Sequence, residues 1–301
     1  MRNSLTEVIV YTTDTVSKRK LSPKEALKRR NGSVVYTMTI TILFRNCLKR
    51  YEKKGVTTLN NLEAIDLRQS RRAYLPQPMD AAQLTKLQTE IDQCNKESGL
   101  SIQLVEDGRE AFSGFNLTYG MFQGVRSYIA LIGKTSDEHL REKAGYYGEK
   151  LVLEATKLGL GTCWVGGTFN RSNCASTIQA DETLVLIITI GMVPAKKPFR
   201  ENAIYKLAHR KTKSLEQLYS SDTTTPDWLL GGMKCVQKAP SAVNLQPVQF
   251  RFEKGSLLAE VKNANSYQLI DLGIAKLHFE LGAGNGRFEL GNSGKYILYQ
   301  S

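Results

Sequence analysis

The 301-residue sequence is short of the residues that build metal centres and disulfide frameworks. Its five cysteines (Cys47, Cys94, Cys163, Cys174 and Cys235) are an odd number and form no Cys-x-x-Cys pair. Its three histidines, His139, His209 and His278, lie far apart in the chain. These absences predict no disulfide framework, no metal site and a reducing compartment, taken here as the cytoplasm. Long apolar runs are also missing. The 11 residues Val34–Phe44 (VVYTMTITILF) are too few to span a bilayer. They follow basic clusters, as a signal peptide would, but lead into Arg45, Cys47, Lys49 and Arg50 with no small-residue cleavage site.

What is present fits an ordinary globular protein, with 41% hydrophobic and 23% charged residues. The length suits one large domain or two small ones. The net charge of +12 is concentrated at one end. Residues 1–58 carry 13 Lys/Arg against 4 Asp/Glu, and the other 243 residues carry 28 against 25. A basic tail can bind polyanions, but nucleic acid is not an expected partner of the body, and neither is a membrane. Residues 1–58 are expected to be poorly ordered or foreign to the native chain, as a start codon assigned too early would make them. The working fold, residues 59–301, then begins near Leu59.

From there the chain turns regular. Asp80 can cap a helix with Leu84, Leu87, Ile91 and Cys94 on one face, closed by Gly99. Ser127–Gly133 and Leu184–Ile190 read as buried strands. Between them Thr135, Ser136 and Asp137 offer caps for a long helix, with apolar positions from Leu140 to Leu158, stopped by Gly159 and Gly161. Ser220–Thr225 reads as a polar linker, dividing the domain into halves at about 59–219 and 226–301. Pro226 suits a first helical turn, and that helix runs to Pro240. Phe250 and Phe252 alternate along a strand that turns at Lys254-Gly255 into Leu257–Val261. Leu269–Leu281 reads as a helix and Lys295–Gln300 as a last strand. Helices mixed with hairpins predict an α+β fold.

Three segments carry the chemistry. Ala64–Tyr74 (AIDLRQSRRAY) places Arg68, Gln69, Ser70, Arg71 and Arg72 together, a supply of donors suited to phosphate or to a solvated basic helix end. Lys238–Phe250 (KAPSAVNLQPVQF) holds Ser241, Asn244 and Gln246 between Pro240 and Pro247. These groups suit a heterocycle edge and sugar hydroxyls, or a polar loop with Asx-type turns. Leu158–Phe169 (LGLGTCWVGGTF) has glycines at 159, 161, 166 and 167 that let backbone approach a ligand, or a helix C-cap with a packed turn around Trp164. It follows a helix, which disfavours a dinucleotide fingerprint.

Taken together these segments resemble the nitroreductase family of FMN flavoproteins, over about residues 59–301. AIDLRQSRRAY is similar to the family's Arg-x-Ser-x-Arg/Lys opening, APSAVNLQPVQF to its Pro-Ser-x-x-Asn-x-Gln-Pro loop, and YGEKLVLEATKLGLGTCWVGGTF to its long helix and Gly-Leu-Gly continuation. IGMVPAKKPFR resembles its late strand end with a basic phosphate contact. The resemblance implies a nitroreductase-like fold, a mixed or antiparallel central sheet flanked by helices. It also implies FMN as cofactor and NAD(P)H as reductant. It assigns Arg68, Gln69, Ser70 and Arg72, with Lys197 or Arg200, to the phosphate and polar ring edge. Pro240, Ser241, Asn244 and Gln246 would hold the ribityl chain and ring, and the Val165, Gly166 and Gly167 backbone would face flavin N5. Tyr119, Phe122 and Trp164 are candidate pocket walls, or structural aromatics. A small electron acceptor, nitroaromatic or quinone-like, would complete a ping-pong cycle. A flavin-binding protein without this turnover is the alternative.

The order of the parts departs from the family's. The Pro-Ser loop lies about 170 residues after the Arg segment, where the family places it a few dozen residues on. Such permutation resembles the single-chain, pseudo-dimeric branch of the family, its second half standing in for the partner subunit. That implies a monomer with two pseudo-symmetric halves, or a weak homodimer. Val248 stands where the family has Trp, and Gln69 where it has a second Arg.

Overall fold

The computed structural model describes residues 59–113, 121–208 and 211–299, all within one compact unit, Thr58–Ser301. The expectations for residues 1–58 and for Tyr119 lie outside the described residues.

The first half of this unit is built on a four-stranded antiparallel sheet in the order β1-β2-β4-β3. Its strands are β1 (Gln103–Val105), β2 (Ser127–Lys134), β3 (Gly161–Val165) and β4 (Glu182–Gly191). β2 and β4 are almost wholly buried, as their unbroken apolar runs demand. Helix α1 (Asn61–Leu67) precedes the sheet, and α2 (Ala81–Ser98) is closed by the expected Asp80 capping box and left-handed Gly99. Helix α3 (Leu140–Lys157) lies between β2 and β3 in the chain. Its start is later than Thr135–Asp137: His139 is the N-cap, and the Asp137 carboxylate accepts from His139 N at 2.9 Å. Asp137 therefore ties the turn before the helix, and its other oxygen accepts from Lys143 Nζ at 2.7 Å near the helix start.

Two segments read as loop pair as strands. Gly161–Val165 adds an edge to β4, from Gly161↔Gly191 to Val165↔Ile187. Tyr219–Ser221 (β5), placed at the end of the first half and the start of the linker, runs parallel to β6. Both are short, and the pairing with β4 and β6 completes them as strands.

After α4 (Phe199–Ala208) and β5 come α5 (Asp227–Val236), β6 (Gln249–Glu253), β7 (Ser256–Glu260), α6 (Ser266–Ala283), β8 (Gly286–Phe288) and β9 (Gly294–Leu298). The second sheet has the order β5-β6-β7-β9-β8. Its core is aromatic: Phe250, Phe279, Phe288 and Tyr296 pack with centroids 5.0–5.9 Å apart.

Helices α3 and α6 cross at van der Waals contact of their backbones. A Cβ at Gly145 would lie 2.0 Å from Ile270 O, and one at Gly273 would lie 2.0 Å from Glu142 O. The same crossing is locked by a buried ion pair, Lys276 Nζ to Glu142 Oε1 at 2.5 Å, with Glu289 O and Gly291 O completing the ammonium's partners. Helices and sheets thus form the expected α+β architecture. Among the described residues no helix is long and apolar enough to cross a membrane.

Candidate functional site

The Arg-rich segment leaves α1 at Arg68 and then runs extended along the edge strand β3. Arg71 N donates to Thr162 O at 2.8 Å, Gln123 N to Arg72 O at 2.9 Å, and Tyr74 N to Gln123 O at 2.9 Å. The neighbours Arg71 and Arg72 therefore face opposite ways. Arg71 turns into the scaffold, where its Nε reaches Glu201 Oε1 at 3.1 Å and its Nη2 reaches Pro194 O at 3.0 Å. Glu201, 3% exposed, also accepts from Arg72 N at 2.6 Å. Arg68, Gln69, Ser70 and Arg72 instead line a cavity of about 850 Å³. Arg72 has no carboxylate partner among the described residues. Arg68 Nε is buried without a hydrogen bond, its nearest carboxylate, Glu149, standing 3.7 Å away. Arg68 is thus the C-cap of α1 and Gln69 is exposed, while Ser70, Arg71 and Arg72 run beyond the helix and are partly buried. The segment presents two guanidinium forks to the cavity, the donor set a phosphate takes.

Another part of the wall comes from the turn after α5. Pro240, Ser241 and Asn244 line the cavity. The backbone here is strained: Val243 has φ 45°, Asn244 φ 53° and Gln246 φ 46°. A β-branched residue in the left-handed region is uncommon, and such strain persists only where surrounding contacts hold it. Those contacts are visible. Ser241 Oγ accepts from Gln246 N at 2.9 Å, and Asp271 Oδ1 accepts from Ala242 N at 3.0 Å. Gln246 does not line the cavity. Its Oε1 accepts from Lys213 N at 2.8 Å and its Nε2 donates to Gln237 O at 3.1 Å, so its amide is spent anchoring the loop.

The floor is the end of β3. Trp164, Val165, Gly166 and Gly167 line the cavity with Phe122 and Met121. A Cβ on Gly166 would meet the Tyr267 ring at 2.5 Å, so glycine there lets ring and backbone meet. Phe122 packs edge-on to Phe112 with centroids 5.6 Å apart. Trp164 donates from its indole to Glu149 Oε2 at 2.9 Å, and the other oxygen of this fully buried carboxylate meets His278 Nε2 at 3.0 Å. Lys197 and Arg200 do not line the cavity. Lys197 is half-buried within electrostatic reach of Arg71, Arg72 and Arg68, and burial lowers its pKa; Arg200 is exposed. Cys163 also faces the cavity, but burial raises its thiol pKa, so it offers no thiolate nucleophile.

Several cavity residues escaped the sequence pattern: Met121, Gln237, Tyr267, Gln268 and Asp271. Only Asp271 left a signal, as an acid inside the apolar run Leu269–Ala275. Burial raises its carboxyl pKa to about 7. As a whole the cavity, lined by arginine forks and by a polar strained loop, suits a molecule with an anionic group.

The first half's site residues and the second half's loop thus line one cavity within one chain. Among the described residues no cluster of metal-ligating side chains accompanies them. No curated protein matches the sequence. Among solved structures, a "putative nitroreductase" from Thermotoga maritima MSB8 is similar in fold, with a TM-score of 0.50 and 22% identity over 80% of this chain and 93% of that one. An FMN-dependent nitroreductase from Clostridium difficile R20291 matches at 19% identity, over 50% of this chain and 98% of that one, with a TM-score of 0.36. A "putative NADH dehydrogenase/NAD(P)H nitroreductase" from Parabacteroides distasonis ATCC 8503 matches at 18% identity, over 53% and 96%, with a TM-score of 0.39. The family model described as "Putative TM nitroreductase" matches residues 60–283, most of the chain. The chain belongs to that nitroreductase family.

Proposed function

We propose that this protein is an FMN-dependent oxidoreductase that takes hydride from NAD(P)H and reduces nitroaromatic- or quinone-like acceptors, the two reactants using one cavity in turn. The observation that carries this reading is the pair Arg68 and Arg72, left without full compensation on the wall of an 850 Å³ cavity. Such a pair is costly unless an anion completes it. Arg68, Ser70 and Arg72 would hold the FMN phosphate or the polar ring edge, Ser241 and Asn244 the ribityl chain and ring, and Val165–Gly167 the backbone side of the ring. Lys197 would add positive potential from behind, and Gln246 would act by fixing the loop. When bound, the flavin supplies the hydride chemistry. The chain supplies orientation, exclusion of water by Trp164, Phe122 and Met121, and a fixed positive potential that favours negative charge on the ligand.

Because both walls come from one chain, the second half is proposed to stand where other members of the family use a partner subunit, giving a monomer or a weak homodimer in the cytoplasm.

Purified protein is expected to show flavin absorption bands near stoichiometric occupancy, bleached anaerobically by NADH or NADPH. Colourless protein that cannot be reconstituted with FMN would sink the reading. Bands that neither nicotinamide bleaches would favour flavin binding without turnover. Replacing Arg72 by Ala is expected to weaken FMN binding about 10-fold or more, as measured by flavin fluorescence quenching.

A further inference from the structure

Asp271 lies on α6, 4% exposed, against the cavity. One of its oxygens is accounted for, since Oδ1 takes Ala242 N–H at 3.0 Å and so holds the strained loop. The other, Oδ2, is buried and accepts nothing. The cations that line the same cavity do not pair with it: Arg68 lies beside Glu149, Arg72 has no carboxylate partner among the described residues, and Lys238 is bonded to Asp66. The other buried carboxylates are placed differently. Glu142, Glu149 and Glu201 each spend both oxygens on named partners. Among the described residues, a buried acid with an open acceptor is therefore exceptional, and an amide would serve the loop contact equally well.

We propose that Asp271 is a ligand-binding residue whose Oδ2 accepts a hydrogen bond from an N–H or O–H donor of the molecule in the cavity. An open buried acceptor of this kind is expensive until a partner arrives. A phosphate at neutral pH offers mainly acceptors, so it belongs with Arg68 and Arg72 and not with this carboxylate. The donors that fit are an imide N–H on a heterocycle or a hydroxyl on a polyol. On the FMN reading, on which the ligand's identity rests, these are the ring imide and the ribityl hydroxyls. Asp271 thus orients the ligand, with its anionic end toward the arginines and a donor toward α6. The pKa of the carboxyl, raised by burial, agrees with an acid that lacks partners.

The test is a fluorescence titration of apoprotein with FMN and riboflavin, for the wild type and for Asp271→Asn. The amide keeps an acceptor for Ala242 N–H but turns a donor toward the cavity. FMN affinity is expected to fall about 10-fold or more, with the apoprotein still folded by circular dichroism. Undiminished affinity in Asp271→Asn overturns the assignment. A second measurement needs no variant: FMN methylated at its imide nitrogen, and analogues lacking single ribityl hydroxyls, are titrated into the wild type. One of them should lose about 10-fold, and should lose nothing further on Asp271→Asn where that variant folds. Equal binding of every analogue overturns the assignment. If the wild type binds neither FMN nor riboflavin, the flavin reading falls and the donor named here falls with it. If it binds both and only the Asp271 results fail, the flavin reading survives alone.

Discussion

Helices α3 and α6 cross at contact distance, and each buries a carboxylate close to the cavity, yet the two acids are treated in opposite ways. Glu149 on α3 is fully enclosed and fully engaged, by the Trp164 indole, by His278 and, at 3.7 Å, by Arg68. Asp271 on α6 is nearly as buried but has one bond and one open oxygen. Burial of an acid is expensive in both places. Where its bonds close, the acid works as scaffold: Glu149 fixes the Trp164 wall and the side of Arg68. Where a bond is left open, stability has been given up for binding, as is common at functional sites.

The largest effect should come from breaking the satisfied acid. Glu149→Ala strands the Trp164 indole, His278 and Arg68, and is expected to cost about 3–5 kcal/mol in urea denaturation. A loss near zero would mean that the network contributes nothing.

Asp271 should show the opposite sign. Its pKa in the apoprotein is raised from 3.8 to about 7, so the folded state holds a proton that the unfolded state releases. That stabilising contribution is complete below pH ~4 and is lost as pH rises toward the folded pKa, by up to about 4 kcal/mol. Comparison of apoprotein stability from pH 4 to 8 should show that slope in the wild type and a flatter one in Asp271→Asn, which is expected to be the more stable at pH ~8. Identical slopes would contradict the environment described for this acid.

The crossing that brings the two helices together can be tested next. Gly273→Ala places a methyl 2.0 Å from Glu142 O and 2.7 Å from Tyr146 N, backbone atoms that cannot swing away. A cost of about 3 kcal/mol in thermal unfolding is expected. Gly166→Ala should be the mildest. Its Cβ meets the ring of the half-exposed Tyr267, which can turn aside. Less than about 1 kcal/mol is expected, with a greater change in ligand affinity than in stability.

Much of this was legible in the chain. Asp80 and Gly99 bounded α2 because caps depend on a few adjacent residues. The runs at Ser127–Lys134 and Glu182–Gly191 showed as strands because both faces are buried. The Arg segment and the Pro-Ser loop stood out because each concentrates unusual chemistry in a few residues. Gly161–Val165 and Tyr219–Ser221 did not, since their pairing is provided by strands distant in sequence. Spacing could not show that Arg71 would face Glu201, 130 residues away, while Arg68 and Arg72 face the cavity. Nor could it show that Gln246 would spend its amide on Lys213 and Gln237.

The sequence by itself determined the kinds of groups available: guanidinium forks, a proline-stiffened polar loop and a glycine-lined strand end. These are local properties of covalent chemistry and spacing. Only the tertiary structure decided which of them share a cavity, because that depends on the long-range crossing of α3 and α6 and on the pairing of the Arg segment with β3. It also decided which of two buried acids would be left with an open bond. Burial and partners belong to the folded surroundings, and a carboxylate's place in the chain says nothing of either.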